Sequence, residues 1–246
     1  MRKDDVAALL DHAANDLNGS SLGSIEQQYK EALSEKKIPT FLSIDIKNFM
    51  ENLRSALDYM AHDIYEVAIK PERDKIGTKA IKSYFPYGKT ENDFKSRLGS
   101  ELPNLQSLNP KFFALVESVQ PHKCNDPWLY EFCSILNDNK HDTLSPQIKT
   151  EMQTMTASVP AGSFTMPINS PNLSVHQGQN VQITLGGIPM RVSNQGIEPL
   201  APGIERIITT WVSFQFADTN TPVLPLLKKA LEKILTLSNQ IYKEFE

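Results

Sequence analysis

The sequence predicts an α+β protein: a predominantly helical bundle over residues 1–150, a small antiparallel β-sheet inserted at 151–217, and a C-terminal helix at 218–246 that packs back on the bundle. Three observations predict it. Apolar residues recur at spacings of three and four through the first part of the chain, they alternate at spacing two from Glu151 to Phe216, and helical spacing returns after Pro222. With 246 residues, 40% of them hydrophobic and 22% charged, the chain is long enough to bury a core of its own.

The elements follow in order. Val6, Leu9, Leu10, Ala13 and Leu17 line one face of a first helix, which Asn18-Gly19 stops. A second begins after Ser24, buries Ile25, Tyr29 and Leu33, and ends before Pro39. The strongest helix runs from about Ser43 to Ile69, with Phe49, Leu53, Leu57, Met60, Ile64 and Val67 as a continuous stripe and Pro71 as its stop. Residues 70–104 are charged, are broken by Pro86, Gly88, Gly99 and Pro103, and read as a long excursion with room for one short helix. Asn109-Pro110 opens a helix that Pro121 ends, and Asp126-Pro127 caps the next one. In the strand-rich part, Val181, Ile183 and Leu185 alternate up to Gly186-Gly187, a hairpin signal, and Ile207 to Phe216 make the best strand. The expectation is roughly four antiparallel strands, an ordinary number for a small sheet, with one loose loop over residues 160–180. Thr221-Pro222 opens the closing helix, whose stripe is Leu224, Leu227, Leu231, Ile234, Ile241 and Phe245.

Charge narrows the function. Lys and Arg number 25 against 29 Asp and Glu, a net charge of −4, so the chain as a whole does not attract nucleic acid or an anionic membrane. Any polyanion site must be local. Cys124 and Cys133 form no CxxC, and Cys133 falls on an apolar stripe, the pattern of a reduced, buried thiol. With no signal-peptide pattern after Met1 and no apolar run near the ~18 residues of a membrane span, the chain reads as soluble and cytoplasmic. The five histidines are scattered and no HExxH, P-loop or GxSxG occurs, so neither a metal nor a cofactor is expected.

Two polar groups interrupt the apolar stripes. On the long helix, Arg54, Asp58 and His62 are four apart and form one row, in which Asp58 can pair with Arg54 and orient His62; Asn52 lies two residues before Arg54. On the helix after Pro127, Asn137, Lys140 and His141 fall on or beside the face of Leu129, Phe132, Cys133 and Leu136, with Asn139 between them. Polar groups aimed inward need partners, since each one left unsatisfied costs about 1 to 3 kcal/mol. The two helices should therefore lie against each other.

These residues carry a resemblance. NLRSALDYMA, followed by a helix ending NDNKHD, resembles a group of uncharacterised bacterial proteins with NLRSALDHLA and a later NKH or NIDKHR ending. The order of Phe85-Pro86, Asp126-Pro127-Trp128-Leu129, a strand-rich segment and a closing helix begun by PVLPLL is similar too, over roughly residues 25–246. Tyr59 stands where the group often has His, and Asp142 where it often has Arg. More distantly the group resembles the HEPN superfamily of compact helical bundles, found in bacterial toxins and phage-defence systems, many of them metal-independent ribonucleases. The HEPN pair, a His four to six positions after an Arg on one helix, is missing: Arg54 lies eight from His62, and His141 follows Lys140. The resemblance implies RNA as partner, with Arg54, Lys140 and His141 as catalytic candidates and Asn52, Asp58, His62, Asn137 and Asn139 as a supporting polar network. A second copy of the chain, or a protein bound through the sheet insertion, is a further partner this reading admits; a membrane is not. Against cleavage stands a reading in which the same residues form a buried structural network in a non-catalytic binding or assembly module.

Overall fold

The computed structural model describes residues 1–19, 23–33, 39–77, 81, 83–141, 147–159, 162–167, 181–185, 188–193, 196–199, 205–217 and 219–246, and over 138–212 it describes the backbone alone. The chain divides into two compact units, residues 1–148 with 214–246 and residues 149–213. The protein is mostly helical with antiparallel strands.

The helical unit is organised around one helix. α1 (Lys3–Asn18), α2 (Ile25–Ala32), α9 (Trp128–His141) and α10 (Val223–Glu244) all pack on α3 (Thr40–Ile64). Its buried residues, among them Phe49, Leu53, Ala56, Leu57, Met60, Ala61 and Ile64, cover much of the helix circumference, as a helix with neighbours on several sides requires. α10 also meets α1 and α9, together with α7 (Pro110–Ser118), and buries Leu227, Leu231, Ile234 and Ile241. Caps fall where side chains supply them: the Ser24 hydroxyl accepts the Gln27 N–H at 3.4 Å, and Asn109 Oδ1 accepts the Phe112 N–H at 3.1 Å.

The end of the long helix differs from expectation. After Ile64 the chain makes one π turn, Tyr65–Ile69, in which the Lys70 N–H reaches back to the Tyr65 carbonyl. The extra residue shifts the inward phase, so that Tyr65 and Ile69 are buried and Val67, which α-helical spacing places inward, is 48% exposed. Pro71 does not stop the helix but stands in the first turn of α4 (Lys70–Lys75). A proline ring disturbs the backbone ladder of the preceding turn, and here that ladder is already broken.

The 70–104 stretch holds more structure than expected. α5 (Glu91–Glu101) starts at a capping box in which Thr90 Oγ1 accepts the Asp93 N–H at 3.2 Å and Asp93 Oδ2 accepts the Thr90 N–H at 3.0 Å. α6 (Leu105–Leu108) follows it, and α8 (Pro121–Cys124) joins α7 to α9.

In the second unit, β1 (Gln147–Val159) pairs antiparallel with β2 (Gly162–Pro167), Val159 opposite Gly162. β3 (Val181–Leu185), β4 (Ile188–Ser193) and β5 (Gly196–Pro199) form an antiparallel meander, with Leu185 opposite Ile188 as the hairpin signal requires. The strand order of the other sheet is β2-β1-β6-β7, where β6 is Glu205–Phe216 and β7 is Thr221–Pro222; the β6–β7 pairing, Gln215 opposite Pro222 and Phe216 opposite Thr221, belongs to the first unit. The described residues thus hold more than the expected four strands, in two sheets, and residues 162–167 are strand where a loop is expected. Strands as short as GSFTMP and GIEP, each with a proline, carry too few alternations to stand out as period two. Among the described residues no helix is long and apolar enough to cross a membrane.

One buried carboxylate ties both ends of the chain to α3. Asp63 is 3% exposed, and its Oδ2 accepts the Arg2 N–H at 2.6 Å and the Tyr242 hydroxyl at 3.0 Å. Burial, together with the charge of Asp63, raises the Tyr242 phenol above its ordinary range. Tyr242→Phe should cost about 1 to 3 kcal/mol by leaving Asp63 short of a donor, and Leu231→Ala about 2 to 5 kcal/mol by opening a cavity. Urea melts of both variants check this; a closing helix that is inessential to the core would leave the Leu231→Ala midpoint where it was.

Candidate functional site

The polar row of α3 faces an irregular segment, residues 83–88, that has no strand beside it among the described residues. Its backbone groups must therefore find partners among side chains. Arg54 and Asp58 form a two-pronged ion pair, Nε to Oδ2 at 3.2 Å and Nη2 to Oδ1 at 3.0 Å, with only 13% and 22% of the side chains exposed. The pair then grips one residue from both directions. Asp58 Oδ1 accepts the Phe85 N–H at 2.9 Å, and Arg54 Nη2 donates to the Phe85 carbonyl at 3.3 Å. Further along, the fully buried Gln120 donates through Nε2 to the Pro86 carbonyl at 3.0 Å and accepts the Gly88 N–H through Oε1 at 3.3 Å. The Tyr84 N–H goes to Glu101 Oε2 at 3.1 Å. α3, α5 and the turn between α7 and α8 thus hold the segment as neighbouring strands would.

The third Arg54 nitrogen crosses to α9, where Nη1 donates to Cys133 Sγ at 3.1 Å. Burial raises the Cys133 thiol above its ordinary range against the opposing pull of Arg54, so the sulfur is a neutral, weak acceptor and no nucleophile. Burial also opposes the charge on Arg54, but the hydrogen bond to Cys133 and the carboxylate of Asp58 outweigh it and the guanidinium stays charged. Tyr87 closes the arrangement. Its ring centroid lies 5.2 Å from the Arg54 guanidinium and 4.3 Å from that of Arg97, and its hydroxyl accepts Asn137 Nδ2 at 2.6 Å.

Of the expected site residues, Arg54, Asp58 and Asn137 belong to one network, and α3 does lie against α9. His62 does not belong to it: its Nδ1 is 3.4 Å from Ser83 Oγ and its Nε2 3.9 Å from Glu66. The Asp58 oxygens instead meet the Arg54 fork and the Phe85 N–H. Asn52 is half-buried on α3 and, among the described residues, takes no part in the network. Asn139, Lys140 and His141 stand in the last turn of α9, with side chains outside the described residues. Tyr87, Gln120, Arg97 and the thiol of Cys133 are members that motif reading missed. Only the glycine of FPYG signals the first of these, by marking a place where backbone comes close to other atoms. Among the described residues no group of His, Cys, Asp and Glu is arranged to hold a metal ion.

Removing one partner of the pair tests the network. Asp58→Ala should cost about 2 to 4 kcal/mol, the lower part of the range for stranding a buried charge, because Asp58 keeps some exposure. Chemical denaturation reads the loss, and hydrogen exchange at Phe85 should speed up in step with it. A loss within experimental error would mean that Arg54 and Phe85 find water as readily as they find Asp58. No family model, curated protein or solved structure matches this chain.

Proposed function

We propose that this chain is a HEPN-like protein of the bacterial toxin and phage-defence type that binds RNA as a non-catalytic module, with the Arg54 motif as a structural clamp. One observation carries the reading: every nitrogen of the Arg54 guanidinium donates within the protein, to Asp58, Phe85 and Cys133. Metal-independent RNA cleavage needs a base, an acid and a cation that stabilises charge growing on phosphorus. A guanidinium committed to a carboxylate and a main-chain carbonyl does not turn to a phosphate without stranding both. Of the two cations the nuclease reading places on the phosphate, Arg54 is thereby taken and Lys140 is left, and Asp142 stands where the resembled group often has a further Arg.

The test is incubation of the purified protein with total cellular RNA, with and without chelator, beside His141→Ala. RNA should be retained on the protein at unchanged length, and equally by both proteins. Shortening of the RNA that survives the chelator and disappears in His141→Ala would establish the nuclease instead.

A further inference from the structure

Tyr87 takes part in a second feature on its way out of the network. Gly88 brings the irregular segment against the first turn of α5 so closely that a Cβ there would collide with Asp93 and the Phe94 nitrogen. Beside that approach lies a cleft of about 360 Å³, bordered by Tyr87, Lys89, Arg97 and, from α9, Tyr130. This is the size of a small-ligand site.

Its charges are uneven. Arg97 is exposed and rests on the Tyr87 ring at 4.3 Å, and among the described residues its guanidinium makes no ion pair or hydrogen bond. Lys89 likewise has no ion pair among the described residues. The carboxylate in the lining is Asp93, and its Oδ2 is engaged by the Thr90 N–H at 3.0 Å and the Thr90 hydroxyl at 2.8 Å. Two cations against one committed carboxylate leave the cleft positive on a chain whose net charge is −4. This is the local site that a polyanion would need. The Ser96 hydroxyl adds a donor, and the half-buried Tyr130 adds an aromatic wall. A fork-shaped cation held in place by a ring, a second cation and an aromatic side chain suit a phosphate attached to a planar base.

We infer that this cleft binds a nucleotide unit, free or within single-stranded RNA, with Arg97 and Lys89 on the phosphate and Tyr130 on the base. The inference rests on the reading of the chain as a binding module, and it places the ligand outside the Arg54 clamp.

Fluorescence titrations with a labelled single-stranded RNA and with AMP test it on the full chain. Lys95→Glu serves as a charge-matched control, since Lys95 is on the same helix and pairs with Glu91 at 2.5 Å, away from the cleft lining. Arg97→Glu and Lys89→Glu should each weaken binding by about tenfold or more, as loss of a charge-assisted hydrogen bond does, and Lys95→Glu by less than about twofold, as for a solvated surface charge. Tyr130→Ala should weaken AMP but leave competition by inorganic phosphate unchanged. RNA binding by the wild type that Arg97→Glu and Lys89→Glu leave intact, or that Lys95→Glu weakens as much, would overturn the cleft while sparing the module. Binding of AMP without RNA would uphold the cleft and overturn RNA as the partner. Binding of neither would overturn both.

Discussion

The Arg54–Asp58 pair sets the terms for the helical unit. A charge placed on the inward side of a central helix has to be matched there, because burying it alone costs far more than any single contact returns. The match is used twice over. The same two side chains that neutralise each other also present an acceptor and a donor at the spacing of a peptide group, so residue 85 is held as if it ran beside a strand. From that grip follow the position of Tyr87, the contact with α9 through Cys133, and the route of the chain into α5. Asp63 does comparable work about 140° further round α3, from five residues at 100° each, where it joins the start of α1 to the end of α10.

Helices with a clean apolar stripe were readable from the residues alone: the buried faces of α1, α3 and α10 consist largely of residues spaced at three and four. The pairing of Arg54 with Asp58 was readable for the same reason, since four residues is a contact distance on a helix. What the pair holds was not. Phe85 is engaged through its backbone, which has no signature in a side-chain sequence, and Gln120 is one polar residue among many until its place in the turn between α7 and α8 is known. His62 shows the opposite error, a spacing that permits contact with Asp58 while each of the two meets other partners. α5 was obscured because its apolar face amounts to Phe94 and Leu98, too little to show period, although its Thr90–Asp93 cap was written in the chain.

If the cleft binds as proposed, binding and stability are divided between the two sides of one tyrosine. On one side Tyr87 meets Arg54, whose nitrogens are already engaged, and the exposed Asn137; on the other it supports Arg97, a cation without an ion-pair partner among the described residues. The fold can therefore keep a rigid polar centre and still present charge to a ligand. An active residue usually has to be left unsatisfied at some cost to stability; in the proposed site that cost would fall on exposed Arg97 and Lys89, where water bears most of it.

The π turn after Ile64 has a mechanical meaning. A long helix is a shaft on which every inward residue keeps time with its neighbours, and a surplus residue would ordinarily throw everything downstream out of step. By confining the surplus to one turn, the shaft is cut into two lengths of different phase: one meshes with α1, α9 and α10, and the other, from Tyr65 to Ile69, with α6. Each length can then be altered without retiming the other. The turn works as a coupling, and the insertion of a residue, which in a straight helix is a fault, becomes the joint that lets one helix serve two sets of partners.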